Sequence, residues 1–412
     1  MKKIFALLLA AALVFTLVAC GSPEAAPDPE PAPAEEVEVD DEPEPDPDPE
    51  PEDVDEDPEP EPAGDGLALE DIRIALVTHS PAPASTLDDG SFNEGAWNAI
   101  QLFISNHGLS SDQATSFQPN EPDDEARLDI VTDAIEGFGA NIVVLPGFHF
   151  GLSSYDMQHM FPDVYFILLD ASPMIPDPEG DGIIPGDIMD NLVGVHYKEH
   201  EAGFLAGYAA VIEGYRDLGF MGGIAVPAVV RFGHGYLQGA EYAAEELGLD
   251  AGEVTVQYHY LGGFAPSPEA MTMASAWFAG GIEVIFAAAG GANFSVIEGG
   301  DASGGSVIGV DFDQHDIGES VITSALKVFD VSVYSILTDI LEGNFRGGRN
   351  AIFGAAEGGV GLPMDTSRFQ NFTQAQYDAI FELLVNGTVV VNDTLDMSDL
   401  EFNLIVVDEL EE

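Results

Sequence analysis

Short runs of β-branched residues alternate with stretches of helical period, and the alternation comes in two successive sets. Residues 72–78, 142–145, 164–169 and 192–195 are near-continuous apolar runs, as expected of parallel strands buried on both faces. Around Arg216 the pattern restarts, with strand-like runs at 219–226, 254–260, 284–289 and 307–310 and helical stretches at 232–247 and 268–279 between them. Two βαβ sets in one chain predict two doubly wound α/β lobes. A length of 412 residues suits two such units once the non-globular parts are set aside.

Those parts lie at the N-terminus. Lys2 and Lys3 precede an apolar run over 4–18 that closes on Leu17-Val18-Ala19-Cys20, the layout of a secretory signal and too short to span a bilayer comfortably. Cys20 is the single cysteine, so disulfide frameworks, Cys-rich zinc sites and a cysteine nucleophile within the lobes are excluded. Leu-x-Ala-Cys resembles a bacterial lipobox, which predicts lipidation at Cys20 and tethering to the outer face of the cell membrane; an ordinary signal with an incidental cysteine is the alternative. Residues 21–66 alternate Pro with Asp and Glu and have almost no bulky apolar side chains, so they predict an extended, disordered polyanionic spacer.

The folded part is acidic as well. With 74 Asp and Glu against 11 Lys and Arg, net charge −63, binding to a nucleic-acid backbone is excluded and polyanionic ligands are disfavoured. Such a surface suits saline or alkaline surroundings.

Open α/β sheets bind ligands beyond the carboxyl ends of their strands, and two facing lobes make a cleft there. The segments that follow the strands, at 79–93, 146–150, 227–236, 261–264, 290–294 and 311–314, are rich in Gly, Phe, Asp and Asn. These are hydrogen bonders and stackers more than catalysts. In Leu87-Asp88-Asp89-Gly90-Ser91-Phe92-Asn93-Glu94, Ser91 and Glu94 have the spacing of a capping box, with Ser91 as N-cap and Phe92 at the first helical position. Capping does not explain Phe92. At a helix start beside the cleft, Phe92 and Asn93 are candidate ligand contacts, with Phe92 packed under its own loop as the alternative.

Several stretches, taken in order, carry a resemblance. Asp88-Asp89-Gly90-Ser91-Phe92-Asn93, Glu201-Ala202-Gly203-Phe204-Leu205-Ala206-Gly207, Gly222-Gly223, Gly235-Tyr236-Leu237-Gln238-Gly239-Ala240, Ala288-Ala289-Gly290-Gly291, the segment from Gly309 to Gln314, and Ser324-Ala325-Leu326-Lys327 are similar to stretches of the basic membrane protein family, the purine nucleoside receptor A-like lipoproteins of ABC importers. The resemblance spans about 71–360. It implies a type I periplasmic-binding-protein fold in which a purine is held between two aromatic rings. Phe92 matches one ring and Phe264 the other, Asp311 matches the carboxylate that holds ribose hydroxyls, and Lys327 a nearby polar contact to the sugar. Where the family has an aspartate after the first strand, this chain has Val77-Thr78-His79; His79 and Asn93 are the candidates for contacts to the base, with His79 as a simple surface histidine the alternative.

Other constellations compete with this reading. His196-Tyr197-Lys198-Glu199-His200 fits H-x-x-E-H, an inverted zinc-protease motif, but no third ligand is apparent and His196 is expected to end a strand. Phe148-His149-Phe150 lines the cleft or packs its rim. Asp311 and Asp313, two apart on an extended segment, are expected to point to opposite sides, so they do not form a catalytic pair. Neither a Gly-x-Ser-x-Gly elbow nor a phosphate loop occurs. Trp97 and Trp277 read as core.

The sequence thus leads to an extracytoplasmic, lipid-anchored solute-binding protein of an ABC importer, closing on a nucleoside and delivering it to a permease with its ATPase. It is expected to be monomeric, with no cofactor, no metal and no catalytic residue. A sugar or signal-molecule receptor of the same fold, or a secreted hydrolase, are the alternatives. Lobe 1 is expected over 71–215 plus about 325–350, and lobe 2 over 216–324 plus about 351–412.

Overall fold

The computed structural model describes residues 66–82 and 85–410. The signal segment, the lipidation candidate Cys20 and the spacer up to residue 65 lie outside the described residues.

The first run of the chain builds β1 (Ile74–Val77), α1 (Phe92–Asn106), β2 (Ala114–Phe117), α2 (Asp124–Asp133), β3 (Ile142–Pro146), α3 (Gly151–Met160), β4 (Tyr165–Leu169), a small hairpin of β5 (Met174–Pro176) and β6 (Ile183–Pro185), and β7 (Leu192–Tyr197). The second run builds α4 (Glu199–Glu213), β8 (Asp217–Gly222), α5 (Pro227–Leu247), β9 (Val254–Tyr260), α6 (Pro268–Gly280), β10 (Val284–Ala288), α7 (Asn293–Ser303), β11 (Ser306–Asp311) and β12 (Val321–Lys327). Then come α8 (Phe329–Glu342), β13 (Arg349–Phe353), β14 (Val360–Gly361), α9 (Gln374–Val385) and β15 (Ile405–Glu409).

Local chemistry sets the ends of these elements. Pro227 and Pro268 stand in the first turns of α5 and α6, where a missing N–H costs nothing, and Ser267 caps α6 by accepting from Ala270 N. Gly248, at φ 65°, closes α5. The run expected as a strand over 219–226 stops at Gly222. Residues 223–226 form a loop leading into Pro227, so α5 begins five residues before the expected 232.

Apart from the β5–β6 hairpin, the strands form two sheets. The first has the order β13-β7-β4-β3-β1-β2 and is parallel throughout; the second runs β14-β12-β11-β10-β8-β9-β15, parallel except for the two-residue β14. Counted within its own set, each lobe has the strand order 2-1-3-4-5, so the direction of winding reverses beside the first strand of each. Ile-Ala-Leu-Val of β1 and Val-Ile-Phe-Ala-Ala of β10 are buried along their whole length, as strands covered by helices on both faces must be.

The lobe boundaries differ from those expected. Helix α4, assigned by the sequence to lobe 1, packs along α5 and against β12 in lobe 2, so the first crossover falls at 197–199 rather than 215/216. Its small residues explain this placement. A Cβ on Gly203 would lie 2.1 Å from Phe232 O and one on Gly207 2.0 Å from Tyr236 O; on α5, one on Gly235 would lie 2.1 Å from His200 O and one on Gly239 2.0 Å from Phe204 O. The two backbones therefore meet with no side chain between them, a fit open only to glycine. The second crossover follows Lys327, because β12 stays in the second sheet; α8 then packs on α1, and β13 pairs with β7 up to Phe353. The third runs over 354–359. The crossovers are tied together: Lys198 N donates to Phe353 O at 3.0 Å and Val328 N to Gly359 O at 2.8 Å.

Candidate functional site

Where winding reverses, the loops after neighbouring strands part and leave a crevice. In lobe 1 these are the loops after β1, carrying His79, and after β3, carrying Phe148 and His149. In lobe 2 they are the loops after β8 and β10, carrying Gly223 and Gly290. Their crevices face each other and enclose a cavity of about 850 Å³. His79, Phe92, Asn93, Phe264, Asp311 and Lys327, the six candidates from the sequence, all line it.

The start of α1 differs from the capping box expected of it. Ser91 makes no cap; Asp89 does, accepting from the backbone N–H groups of Ser91 (3.0 Å), Asn93 (3.1 Å) and Glu94 (3.1 Å) and from Asn93 Nδ2 (2.7 Å). Glu94 turns back to Gly90 N at 3.0 Å. One carboxylate that satisfies several orphan donors leaves the serine hydroxyl free. Ser91 Oγ donates across the cleft to Asp311 Oδ2 at 3.0 Å, and Gln314 Nε2 reaches back to Gly90 O at 2.6 Å. The lobes thus meet at the head of α1.

Phe92 is half-buried. It lies edge-on to Phe329 (5.2 Å between centroids, 83° between planes), with Lys327 Nζ 4.9 Å from its ring centroid. Phe329 comes so close because α1 has Gly95 there: a Cβ would lie 2.5 Å from the Phe329 ring. Phe264 comes from the other lobe and rests on backbone. A Cβ on Gly223 would lie 2.4 Å from its ring, and one on Gly290, at φ 54°, would lie 3.5 Å from the same ring. The glycine pairs singled out for turns thus also make a platform for an aromatic ring. Phe148 approaches Phe264 at 6.5 Å across the cleft and stacks on His149, which stacks on His79.

The inner end of the cavity is charged. Lys327 Nζ contacts Asp170 Oδ2 and lies 3.4 Å from Glu199 Oε1 and 3.6 Å from Asp311 Oδ1. Burial alone would lower the lysine's pKa, but the three carboxylates together outweigh it and hold the ammonium well above its usual range. Burial pushes Glu199 and Asp311 up, and Lys327 only partly opposes it, because one cation is shared among three anions. Arg231 adds a second cation, 3.6 Å from Glu199 Oε2. Asp170 Oδ1 and Glu199 Oε2 have no hydrogen-bond partner among the described residues. Asp170 and Asp311 occupy equivalent places, each at the end of the fourth strand of its lobe, and are the two non-glycine residues with positive φ among the described residues, 55° and 64°. Left-handed backbone is tolerated by Asp more readily than by most side chains, and it costs energy that the surroundings must repay.

A family model described as "ABC transporter substrate-binding protein PnrA-like" matches residues 79–394. The chain belongs to this family. Among its relatives, basic membrane protein A1 of Borrelia garinii subsp. bavariensis is 29% identical over 314 residues, covering 74% of this chain and 85% of that protein. The ABC transporter nucleoside-binding protein BmpA of Lactococcus lactis subsp. cremoris is 25% identical over 349 residues, covering 79% and 90%. Among solved structures, an ABC transporter solute-binding protein from Aeropyrum pernix K1 superposes with a TM-score of 0.62 at 21% identity, over 79% of this chain and 95% of that one. One from Conexibacter woesei gives 0.60 at 21%, over 78% and 99%. The fold is that of the periplasmic solute-binding proteins, as the sequence resemblance implied.

For a PnrA-like protein, the remaining motifs resolve as follows. His196 lies inside β7, which runs one residue further to Tyr197, and has Nε2 3.0 Å from Ser172 Oγ; His196 and Glu199 line the cavity, but His200 does not, and no group of three His, Cys, Asp or Glu among the described residues is arranged to hold a metal. Asp313 does point away from the cavity, accepting from Thr366 Oγ1 at 2.6 Å, though not through strand alternation: Asp311 is left-handed, so the chain turns between the two. Trp277 is buried in the core of the second lobe, and Trp97 is half-buried against the main core cluster around α1. Phe150 is buried, whereas Phe148 and His149 face the cleft. Sequence reasoning missed Asp170, Glu199 and Arg231. The first had a signal: Leu168-Leu169-Asp170 repeats the apolar strand ending in Asp that marks Gly309-Val310-Asp311.

Proposed function

We propose that the protein binds a nucleoside, a purine by preference, in the cleft and delivers it to the permease of an ABC importer without chemical change. One arrangement carries this reading: Phe92 and Phe264, from opposite lobes, line one cavity, and Asp311 and Lys327 line it beside Phe92. Flat aromatic surface suits a base, with stacking worth about 1–3 kcal/mol per base, and a carboxylate accepts hydrogen bonds from the two hydroxyls of a ribose. Because the rings belong to different lobes, the ligand itself completes the contact between them, and binding favours the closed state. The name of the Lactococcus relative, a nucleoside-binding protein, supports the same assignment. We further assign lipidation to Cys20, which would tether a monomeric receptor on the outer face of the membrane; no helix among the described residues is long and apolar enough to cross it.

Thermal unfolding at fixed salt tests the ligand class, with guanosine, inosine, adenosine, uridine, ribose and galactose each supplied to the purified protein. A ligand at about 100 times its Kd adds roughly 2.7 kcal/mol, a shift of a few degrees. Stabilisation by purine nucleosides, lost in Phe92→Ala and Asp311→Ala, is the expected result. Stabilisation by galactose alone, or turnover of a nucleoside, would overturn it.

A further inference from the structure

Resting on the nucleoside reading, we propose that His79 reads the base as a hydrogen-bond donor, presenting Nε2–H to an unprotonated ring nitrogen of the ligand. The polarity of this group is set by a relay that starts at a carboxylate. Asn93 Nδ2 lies 2.7 Å from Asp89 Oδ2, which fixes the amide with its nitrogen toward the acid, and it also donates to Ser85 Oγ at 3.2 Å. A hydroxyl that accepts there has its own proton left to give, and the acceptor in reach is His79 Nδ1 at 3.3 Å. A neutral imidazole that accepts at Nδ1 carries its proton on Nε2. That atom has no hydrogen-bond partner among the described residues, and the ring lines the cavity.

The surroundings keep the ring neutral and still. Burial, then His149, then Arg127 push the His79 pKa down to about 3, and Arg127 Nε donates to His79 O at 2.9 Å. His149 lies parallel to His79 at 4.0 Å and 3°, and Phe148 covers the outer face of His149 at 4.0 Å and 27°. A three-ring stack on the cavity wall holds the imidazole plane and so the direction of its N–H. The same relay uses both N–H groups of Asn93, leaving its Oδ1 as an acceptor.

A donor in this place selects among bases. Adenine carries unprotonated ring nitrogens along its edges, whereas uracil offers only carbonyl oxygens and a ring N–H. The site therefore suits a base that turns an unprotonated ring nitrogen toward His79, as any purine can at N3 or N7 and adenine also at N1, and a base with a ring N–H facing His79 meets donor with donor.

Two measurements on the full chain decide it. Long-range ¹H–¹⁵N correlation NMR reports the His79 tautomer without any ligand: Nε2–H in the wild type and a tautomer mixture in Ser85→Ala are expected, and an Nδ1–H or doubly protonated ring at pH 7 would overturn the proposal. Affinities for adenosine, its 1-deaza, 3-deaza and 7-deaza analogues and uridine are then compared in wild type and His79→Phe, which keeps a ring in the stack but removes the donor. One deaza analogue should bind about tenfold more weakly than adenosine to the wild type, the ratio for a hydrogen bond worth about 1.4 kcal/mol. In His79→Phe that analogue and adenosine should bind alike, and uridine should be unchanged. Equal binding of adenosine and all three analogues by the wild type sinks the proposal even if the variant fails to fold. Absence of any nucleoside binding removes the nucleoside reading instead, and the tautomer result then decides the donor.

Discussion

Lys327 is the residue on which most of the buried charge depends. Replacing it by Met leaves Asp170, Glu199 and Asp311 facing one another without their shared ammonium. A loss of about 3–5 kcal/mol is expected at pH 8, measured by urea unfolding, and the loss should shrink toward pH 5 as the carboxyls take up protons. His79 gives a pH dependence of known sign. Its folded pKa, about 3, lies below the unfolded value of 6.5, so the unfolded chain binds more protons and stability falls as pH drops through 6.5. His149, held down to about 4 by burial and then Arg127, adds to the slope. His79→Phe should therefore lose stability less steeply between pH 6 and 4 than the wild type, by up to about 1.4 kcal/mol per pH unit. At this scale the sequence was readable wherever a residue type had few other uses: Phe92 had no role in capping, and Asp311 ended a strand. Glu199 and Arg231 were not readable, because a charged residue near a helix start normally faces water, and only the folding of α4 and α5 onto lobe 2 brings this pair into the cleft.

Helices α4 and α5 show how an element is chosen by what it lacks. Gly207→Ala puts a methyl group where the Tyr236 carbonyl oxygen stands 2.0 Å away, so the helices must separate. The substitution favours the isolated helix by about 1 kcal/mol yet should destabilise the protein by about 1–3 kcal/mol, read from denaturant midpoints. The head of α1 separates two roles that the sequence had merged. Asp89→Ala should cost about 1–2 kcal/mol of stability as a lost cap, whereas Ser91→Ala should leave α1 intact and loosen only the bond to Asp311. Strand cores such as β1 and β10 were legible because parallel strands buried on both faces read as unbroken apolar runs; β9, buried at alternate residues, also falls on the expected 254–260. The capping box was misread because Asp89, two residues before Ser91, competes for the same N–H groups with a charged acceptor. The placement of α4 was misread because periodicity marks a helix but not the sheet it covers.

Across the whole molecule, like charge opposes folding. With a net charge of −63, added monovalent salt should raise the unfolding midpoint, as screening shortens from about 10 Å at 0.1 M to about 3 Å at 1 M. A flat midpoint across that range, followed by differential scanning calorimetry, would mean that the acidic groups are too far apart to repel. The two-lobe plan was legible from the restart of the pattern near Arg216, yet the crossovers were not, since a strand that ends one lobe and a helix that begins the next look like neighbours within one. Those crossovers have a mechanical consequence. Rotation of one lobe against the other displaces each atom in proportion to its distance from the axis, and Lys327 and Glu199 adjoin the connecting segments themselves. The charged cluster, with Phe92 beside it, is thus the fulcrum. Opening of the lobes would part Phe148 from Phe264 across the cleft while the part beside the crossovers hardly moves.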